Sequence, residues 1–260
     1  MSRSCERPRH AVPPFAPDWA LFLDIDGTLL PIEDHPDRVQ VPPEARALIR
    51  RLERNLGGAV ALISGRALAD IDRLFGPGRP AAGQHGAERR DARGGLHSVQ
   101  REDLHHRHVR EALAGFVAAH PGTLLEDKGL SLALHYRRVP ELADEVRRFA
   151  CALEHSLPAG FHVVPGKMVY EFRAEDYDKG RAVLEFMHEP PFAGRVPVVI
   201  GDDVTDEDAF RVANRLGGHS IKVGEGESCA RWRLDSPAAV RAWLIDYAAF
   251  LESPEKNGRE

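Results

Sequence analysis

The chain has 260 residues, 43% of them hydrophobic, enough for one large domain or for a core with a smaller companion. A formal net charge of −5 excludes a general basic field for nucleic acid or an anionic membrane, and leaves room for a small phosphorylated substrate at a locally basic site. Cys5, Cys151 and Cys229 lie far apart with no CxxC pair, which argues against a thiolate metal site and for a reducing cytosol over a disulfide framework.

The opening MSRSCERPRHAVPPFAPDW has basic residues but no apolar stretch of the kind a signal peptide needs, so residues 1–18 read as a loosely packed arm. Ala20 to Ile25 reads as a buried strand. Pro43 to Leu56 repeats its apolar residues at helical spacing behind Pro42-Pro43, which suits a helix start. Ala59 to Ile63 is a second strand, followed by Ser64-Gly65 and a helix through Leu74 and Phe75. Leu130 to Tyr136 alternates as a half-buried strand does, and Glu141 to Leu157 is amphipathic. Phe161 to Val164 and Met168 to Phe172 read as neighbouring strands across a Pro165-Gly166 turn. Lys179-Gly180 opens another helix. Val196 to Ile200 is a further apolar strand, Asp206 to Leu216 a helix and Ser220 to Val223 a short strand; the final SPEKNGRE reads as a frayed tail. No apolar run is long enough to span a bilayer.

Continuously apolar strands alternating with helices predict an α/β fold, a Rossmann-like parallel sheet with helices on both faces. The alternating middle predicts an inserted α+β unit at 88–174, between core segments 19–87 and 175–260.

In such a sheet, ligands bind beyond the carboxyl ends of the strands. Asp24-Ile25-Asp26-Gly27-Thr28, Ser64-Gly65-Arg66 and Gly201-Asp202-Asp203-Val204-Thr205-Asp206 each follow a strand. Three distant segments thus bring a hydroxyl and up to five carboxylates to one edge, with Lys179 as a cation. Carboxylates so placed repel unless neutralised, and Mg²⁺ is a hard cation that takes carboxylate, water and phosphate oxygens. Asp24, Asp26, Asp202, Asp203 and Asp206 are therefore its candidate ligands, Asp202 ahead of Asp203 and Asp206, because an acidic run also favours a helix N-terminus. Asp24 is placed to attack phosphorus, and Asp26 to protonate the leaving alkoxide and then activate water. Ser64 and Lys179 are the candidates to hold the phosphate oxygens, with Thr28, Gly65 and Arg66 as further substrate contacts.

Other clusters read as structural. His105, His106 and His108 lie among Arg and acidic residues, the pattern of a solvated helix face. Gly224-Glu225-Gly226 reads as a surface turn, and Trp232, Trp243 and Phe250 as packing groups.

The ordered motifs FLDIDGTL (Phe22 to Leu29), LISGR (Leu62 to Arg66), Lys179-Gly180 and GDDVTDE (Gly201 to Glu207) resemble those of the haloacid dehalogenase superfamily of phosphohydrolases. GQHGAE (Gly83 to Glu88), LEDKGLSLALHYR (Leu125 to Arg137) and GKMVYEFR (Gly166 to Arg173) resemble its trehalose-phosphatase branch; Ala174 departs from that pattern, where Pro often follows the Arg. The resemblance implies a cap domain over the core and a cytoplasmic Mg²⁺-dependent enzyme acting on trehalose 6-phosphate through an aspartyl-phosphate. It implies functional pairing with a trehalose-phosphate synthase, and sugar contacts from His85 at the core–cap junction and from Glu126, Lys128 and Glu171 in the cap. Two alternatives stay open: a phosphatase of another sugar phosphate such as sucrose phosphate, and a phosphate-sensing binding protein with a decayed site.

Overall fold

The computed structural model describes residues 12–33, 35, 38–98, 104–128, 131–157, 161–174 and 177–253. Its main sheet begins with β1 (Trp19–Leu23), whose five residues are all buried, and β2 (Val60–Ile63), buried throughout. Between them lies α1 (Pro43–Asn55), with Pro43 in its first turn and Ala45, Leu48, Ile49 and Leu52 forming one buried stripe. After β2 come α2 (Leu68–Phe75), β3 (Ala81–Gly83), β4 (Glu88–Arg90) and β5 (Leu96–Ser98). The later part of the chain adds α5 (Lys179–Met187), β10 (Val196–Gly201), α6 (Glu207–Arg215), β11 (His219–Val223), β12 (Trp232–Leu234) and α7 (Pro237–Glu252).

The eight strands run in the order β12-β11-β10-β1-β2-β3-β4-β5, parallel from β12 to β3 and antiparallel at β4 and β5. The chain winds outward from β1 to β3, then returns beside β1 with β10 and winds the other way. This reversal puts the topological switch between β1 and β10. Helix α1 packs on α7 and α5 on α6, covering the two faces.

Between β5 and α5 the chain builds a second, antiparallel sheet of order β6-β7-β9-β8, from β6 (Leu124–Asp127), β7 (Leu132–His135), β8 (Phe161–Gly166) and β9 (Val169–Ala174). Helices α3 (Leu104–Ala119) and α4 (Ala143–Glu154) lie against it. Leu132, Leu134 and Phe172 face these helices and share a core with Val109, Leu113, Phe116, Val146, Ala150 and Leu153. Residues at odd offsets point to the opposite face, a direct consequence of the two-residue period of a strand.

The α/β class and the separate antiparallel unit match the sequence reading, and four details differ. Strands β4 and β5 extend the main sheet, although the insert was expected to begin at Glu88; their antiparallel hairpin needs only a tight turn at Asp91–Gly95, where Gly95 and Arg93 donate to Asp91. The β8–β9 turn lies at Lys167-Met168, with Met168 at φ 61°, and not at Pro165-Gly166. Pro165 sits within β8 because that strand is at the sheet edge, where a missing N–H is tolerated. The expected arm is packed over its described part: Phe15 meets Trp19, Trp243, Tyr247 and Phe250 at ring-centroid distances of 5.2 to 6.1 Å, and the Tyr247 hydroxyl donates to Ala16 O at 2.8 Å. Strands β3, β6 and β12 and helix α7 were not anticipated. The SPEKNGRE tail from Pro254 and the first eleven residues lie outside the described residues, as do the side chains of His105 and His106. Helix α3 does carry His108, exposed, and Trp232, Trp243 and Phe250 do pack on the core. Arg233 bonds the carbonyls of Gly224 and Gly226, which form a surface turn after β11. None of the described helices is long and apolar enough to cross a membrane.

The aromatic cluster yields a test. Phe15→Ala removes a ring that touches four others, and an unfolding titration should show a loss of roughly 2–3 kcal/mol, below the cost for a fully buried ring because Phe15 is half-buried. A loss under about 0.5 kcal/mol would mean the segment before β1 only lies over the core.

Candidate active site

Three parallel neighbours, β10, β1 and β2, end at the same edge, and the residues that follow them meet there. Asp24 follows β1 and its amide donates to Ile200 O at 3.0 Å, tying the turn to β10. Gly27 then takes φ 86°; a Cβ there would also lie 2.2 Å from the Asp202 carboxylate, so only glycine fits the crossing. Lys179, first residue of α5, is buried and donates 2.7 Å bonds to Asp24 Oδ1 and Asp206 Oδ1. The other Asp206 oxygen accepts from the amides of Asp202 and Asp203, each at 3.0 Å. Asp206 thus caps its own turn and also meets the lysine. The sequence had offered capping and metal binding as alternatives, and the geometry lets one carboxylate face both.

Asp24, Asp202 and Asp206 converge, with one oxygen from each lying within 4.8 Å of the others, all buried. Burial, then the fields of Asp206 and Asp202 against the opposing pull of Lys179, hold the Asp24 carboxyl well above its usual range. Lys179 shows the converse: burial disfavours its charge, but Asp206 and Asp24 outweigh that and raise its pKa. The three carboxylates offer hard oxygen donors in a space where negative charge is under-compensated, which fits a hard divalent cation. The side chains of Asp26 and Asp203 lie outside this group. Asp26 is held by Arg66 in a two-pronged pair, Nε to Oδ2 at 2.6 Å and Nη2 to Oδ1 at 2.7 Å. Asp203 takes part in the capping box with Asp206.

Ser64 and Gly65 follow β2 and, with Arg66, line the cavity. The Ser64 Oγ accepts the Arg66 amide at 3.2 Å. Gly65 lies against the His85 ring, where a Cβ would come within 2.6 Å of Nε2. Thr28, an expected substrate contact, is fully buried and does not line the cavity; the Gly27 turn carries it inward, where its hydroxyl has no protein partner.

The second sheet supplies the opposite wall. Glu126, Ala133, Glu171 and Val164 stand in register across β6, β7, β9 and β8, so all four share a face. Lys128 Nζ donates to Glu171 Oε1 at 3.0 Å, and His135 bonds Glu126 Oε2 at 2.7 Å. Glu126 has a lowered pKa: burial opposes ionisation, but the His135 bond and Lys128 overcome it. Lys128 is raised, burial being outweighed by Glu171 and Glu126. His85 pairs with Glu171 across the junction. One cavity is lined by Asp24, Asp26, Ser64 and Lys179 on one wall and by Glu126, Lys128 and Glu171 on the other.

Three cations at this site were missed. Lys167, in the β8–β9 turn, pairs with the Asp202 carboxylate; the misplaced turn had hidden its direction. Lys222 is buried in β11 and donates to the Asp202 carbonyl; a lysine inside the apolar run Ser220 to Val223 was the available signal. Arg137 lines the cavity two residues after His135, where the alternation of Leu130 to Tyr136 carried one residue further would place it. Neither Cys151 nor Cys229 is disulfide-bonded.

Removing the Lys179 charge has a signed consequence. With metal chelated, Lys179→Met removes the buried cation shared by Asp24 and Asp206, and stability should fall by about 3–5 kcal/mol at pH 8. Lys179 lowers the folded Asp24 pKa, so its loss raises that pKa further above the unfolded value of about 3.9; the folded variant then binds more protons than the folded wild type, and its deficit grows as pH rises. Urea titrations should therefore show a smaller deficit at pH 5 than at pH 8. Equal deficits would mean these carboxylates are not the source of the instability.

The family model for trehalose-phosphatase matches residues 22–238. The chain is 41% identical over 253 residues to trehalose-6-phosphate phosphatase of Escherichia coli (strain K12), covering 97% of this chain and 95% of that protein. It is 46% identical over 208 residues to a probable trehalose-phosphate phosphatase of Sinorhizobium fredii, covering 80% and 78%. The solved C-terminal domain of the C. albicans trehalose-6-phosphate phosphatase superposes with a TM-score of 0.81 at 22% identity, over 90% of this chain and 92% of that one, which establishes the shared fold.

Proposed function

The chain belongs to the trehalose-phosphatase family of haloacid dehalogenase-like hydrolases, and from that premise we propose how its own residues hydrolyse trehalose 6-phosphate to trehalose and phosphate. The observation that carries the reading is the two-walled cavity, with a nucleophile, a hydroxyl and a lysine facing a row of cap carboxylates and an ammonium. A phosphate monoester of a polyol needs both walls.

Asp24 attacks phosphorus, and the bond to the trehalose oxygen breaks as Asp26 delivers a proton to the departing alkoxide. Asp26 then takes a proton from water, whose oxygen attacks the aspartyl-phosphate, releasing phosphate and restoring Asp24. Arg66 holds Asp26 before substrate arrives. Paired with the guanidinium, Asp26 is a carboxylate; an incoming phosphate that competes for Arg66 frees Asp26 to take up a proton from solvent before it serves as the acid, which makes Arg66 a substrate contact as well. Ser64 and Lys179 hold phosphate oxygens as charge moves onto them. Asp24, Asp202 and Asp206 are the residues that would hold Mg²⁺, which when bound supplies the positive charge that lets a carboxylate approach a phosphate. Burial raises the Asp24 pKa and Lys179 opposes that rise; further positive charge beside it favours the ionised, nucleophilic form.

The second sheet, with α3 and α4, acts as the cap that encloses the sugar and excludes bulk water. Glu126, Lys128, Glu171 and His85 bond its hydroxyls. We place the reaction in a reducing cytoplasm, as the cysteine spacing supports, and downstream of a synthase that forms trehalose phosphate.

Phosphate release measured across a panel of sugar phosphates tests the substrate assignment; a preference for another sugar phosphate over trehalose 6-phosphate would overturn it. Asp24→Asn should remain folded and lose turnover, because an amide cannot serve as the attacking carboxylate. Full activity in a folded preparation would exclude the covalent route. Glu126→Ala and Lys128→Ala should each reduce kcat/KM for trehalose 6-phosphate by at least about tenfold, the cost of a charged hydrogen bond, while hydrolysis of a small aryl phosphate barely changes. Parallel losses on both substrates would move these residues from recognition to cap folding.

A further inference from the structure

Two consecutive residues touch both walls of the cavity. Gln84 and His85 form a short 3₁₀ turn between β3 and β4, buried, with φ 47° and 56°. Neither is glycine, and a left-handed backbone at a non-glycine residue carries steric strain. Such a conformation persists only where its surroundings fix it, and here they do so from two directions. On the core side, the Gln84 amide donates to Arg66 O at 2.8 Å and the His85 amide to Ser64 O at 3.0 Å. The turn is thereby fastened to the loop that carries Ser64 and Arg66.

The side chains run the other way. Gln84 Oε1 accepts the backbone amide of Ser131, at the start of the segment that becomes β7, at 3.1 Å. The Ser131 hydroxyl donates to Glu171 Oε1 at 3.0 Å, and His85 pairs with the second Glu171 oxygen. Gln84 Nε2 donates to Glu88, whose other oxygen accepts the Leu68 amide at the start of α2 at 2.9 Å. A single carboxamide therefore accepts from the cap and donates to the core, a pair of roles that a carboxylate cannot fill beside Glu88.

We propose that Gln84 is a positioning residue that sets the spacing between the phosphate wall and the cap carboxylates, and so determines selectivity for sugar phosphates. The proposal rests on the reading of Glu126, Lys128 and Glu171 as sugar contacts. A small aryl phosphate uses only the phosphate wall and is indifferent to that spacing.

The test exploits the direction of the bonds. Gln84→Glu sets two carboxylates against each other. The double variant Gln84→Glu with Glu88→Gln restores every direction: Gln at 88 donates to Glu at 84 and still accepts from Leu68, while Glu at 84 accepts from Ser131. Steady-state kinetics on trehalose 6-phosphate and p-nitrophenyl phosphate, with thermal melts, are measured for wild type and both variants. Gln84→Glu should lose at least about tenfold in kcat/KM on the sugar phosphate and less than about twofold on the aryl phosphate. The double variant should recover the wild-type ratio of the two within about threefold. An unchanged ratio in Gln84→Glu, or a folded double variant that stays unselective, overturns the proposal. If the single variant does not fold, the double variant decides alone: retained selectivity supports the proposal and lost selectivity overturns it. A wild type with no preference for the sugar phosphate sinks the underlying reading, and this inference with it. A wild-type preference with an unaffected variant sinks the inference alone.

Discussion

Three carboxylates buried within a few ångströms of each other are the constraint from which the rest of this molecule follows. Alone they would repel and take up protons. Asp24, Asp202 and Asp206 come together because strands β1 and β10 end side by side at the switch in chain direction, and helix α5 begins there with Lys179. Lys179 offsets part of the charge, Lys167 reaches in from the cap turn, and Lys222 fixes the Asp202 carbonyl from beneath. Burial lowers the Lys222 pKa against the pull of Asp202. What remains uncompensated suits a divalent cation and a phosphate arriving together.

Around this centre the two sheets divide the work by residue period. The central parallel strands of the main sheet are apolar on both faces, and the acidic groups of the site sit in the loops at one edge. The cap sheet has one face on its helices and one on the cavity, so its chemistry is spread over a surface. A loop edge suits the fixed geometry of phosphorus, whereas a face suits a ligand with many hydroxyls. The turn at Gln84 and His85 joins them, bonded by its backbone to the core and by its side chains to both.

Much of this was legible in the sequence because the strongest signals were local. The apolar runs of β1, β2 and β10 and the motifs that follow them could be placed from a few adjacent residues, and the structure brings them to one edge. The segments that were missed depended on partners far along the chain. Strand β3 is only Ala81–Gly83, too short for a pattern, and exists because β2 offers it a ladder. Pro165-Gly166 is a strong turn signal by composition, yet the edge position of β8 overrides it. The pull of Arg66 on Asp26 and the burial of Thr28 needed the third dimension. The chemistry of Asp206 lay between the two roles that the sequence offered.

The row Glu126, Ala133, Glu171 and Val164 has a consequence for descent. Each member stands opposite side chains that build the cap's own core, so cavity lining and packing occupy alternate letters of the same strands. Substitutions on the cavity letters can retune the ligand while the helix-facing letters, and the cap's stability, stay as they are. A one-residue insertion or deletion in β9 ahead of Glu171 has no such freedom, since it turns the letters beyond it over and puts that carboxylate toward the hydrophobic core. A lineage can therefore reshape this cavity wall through point changes in the sheet far more readily than through changes of length.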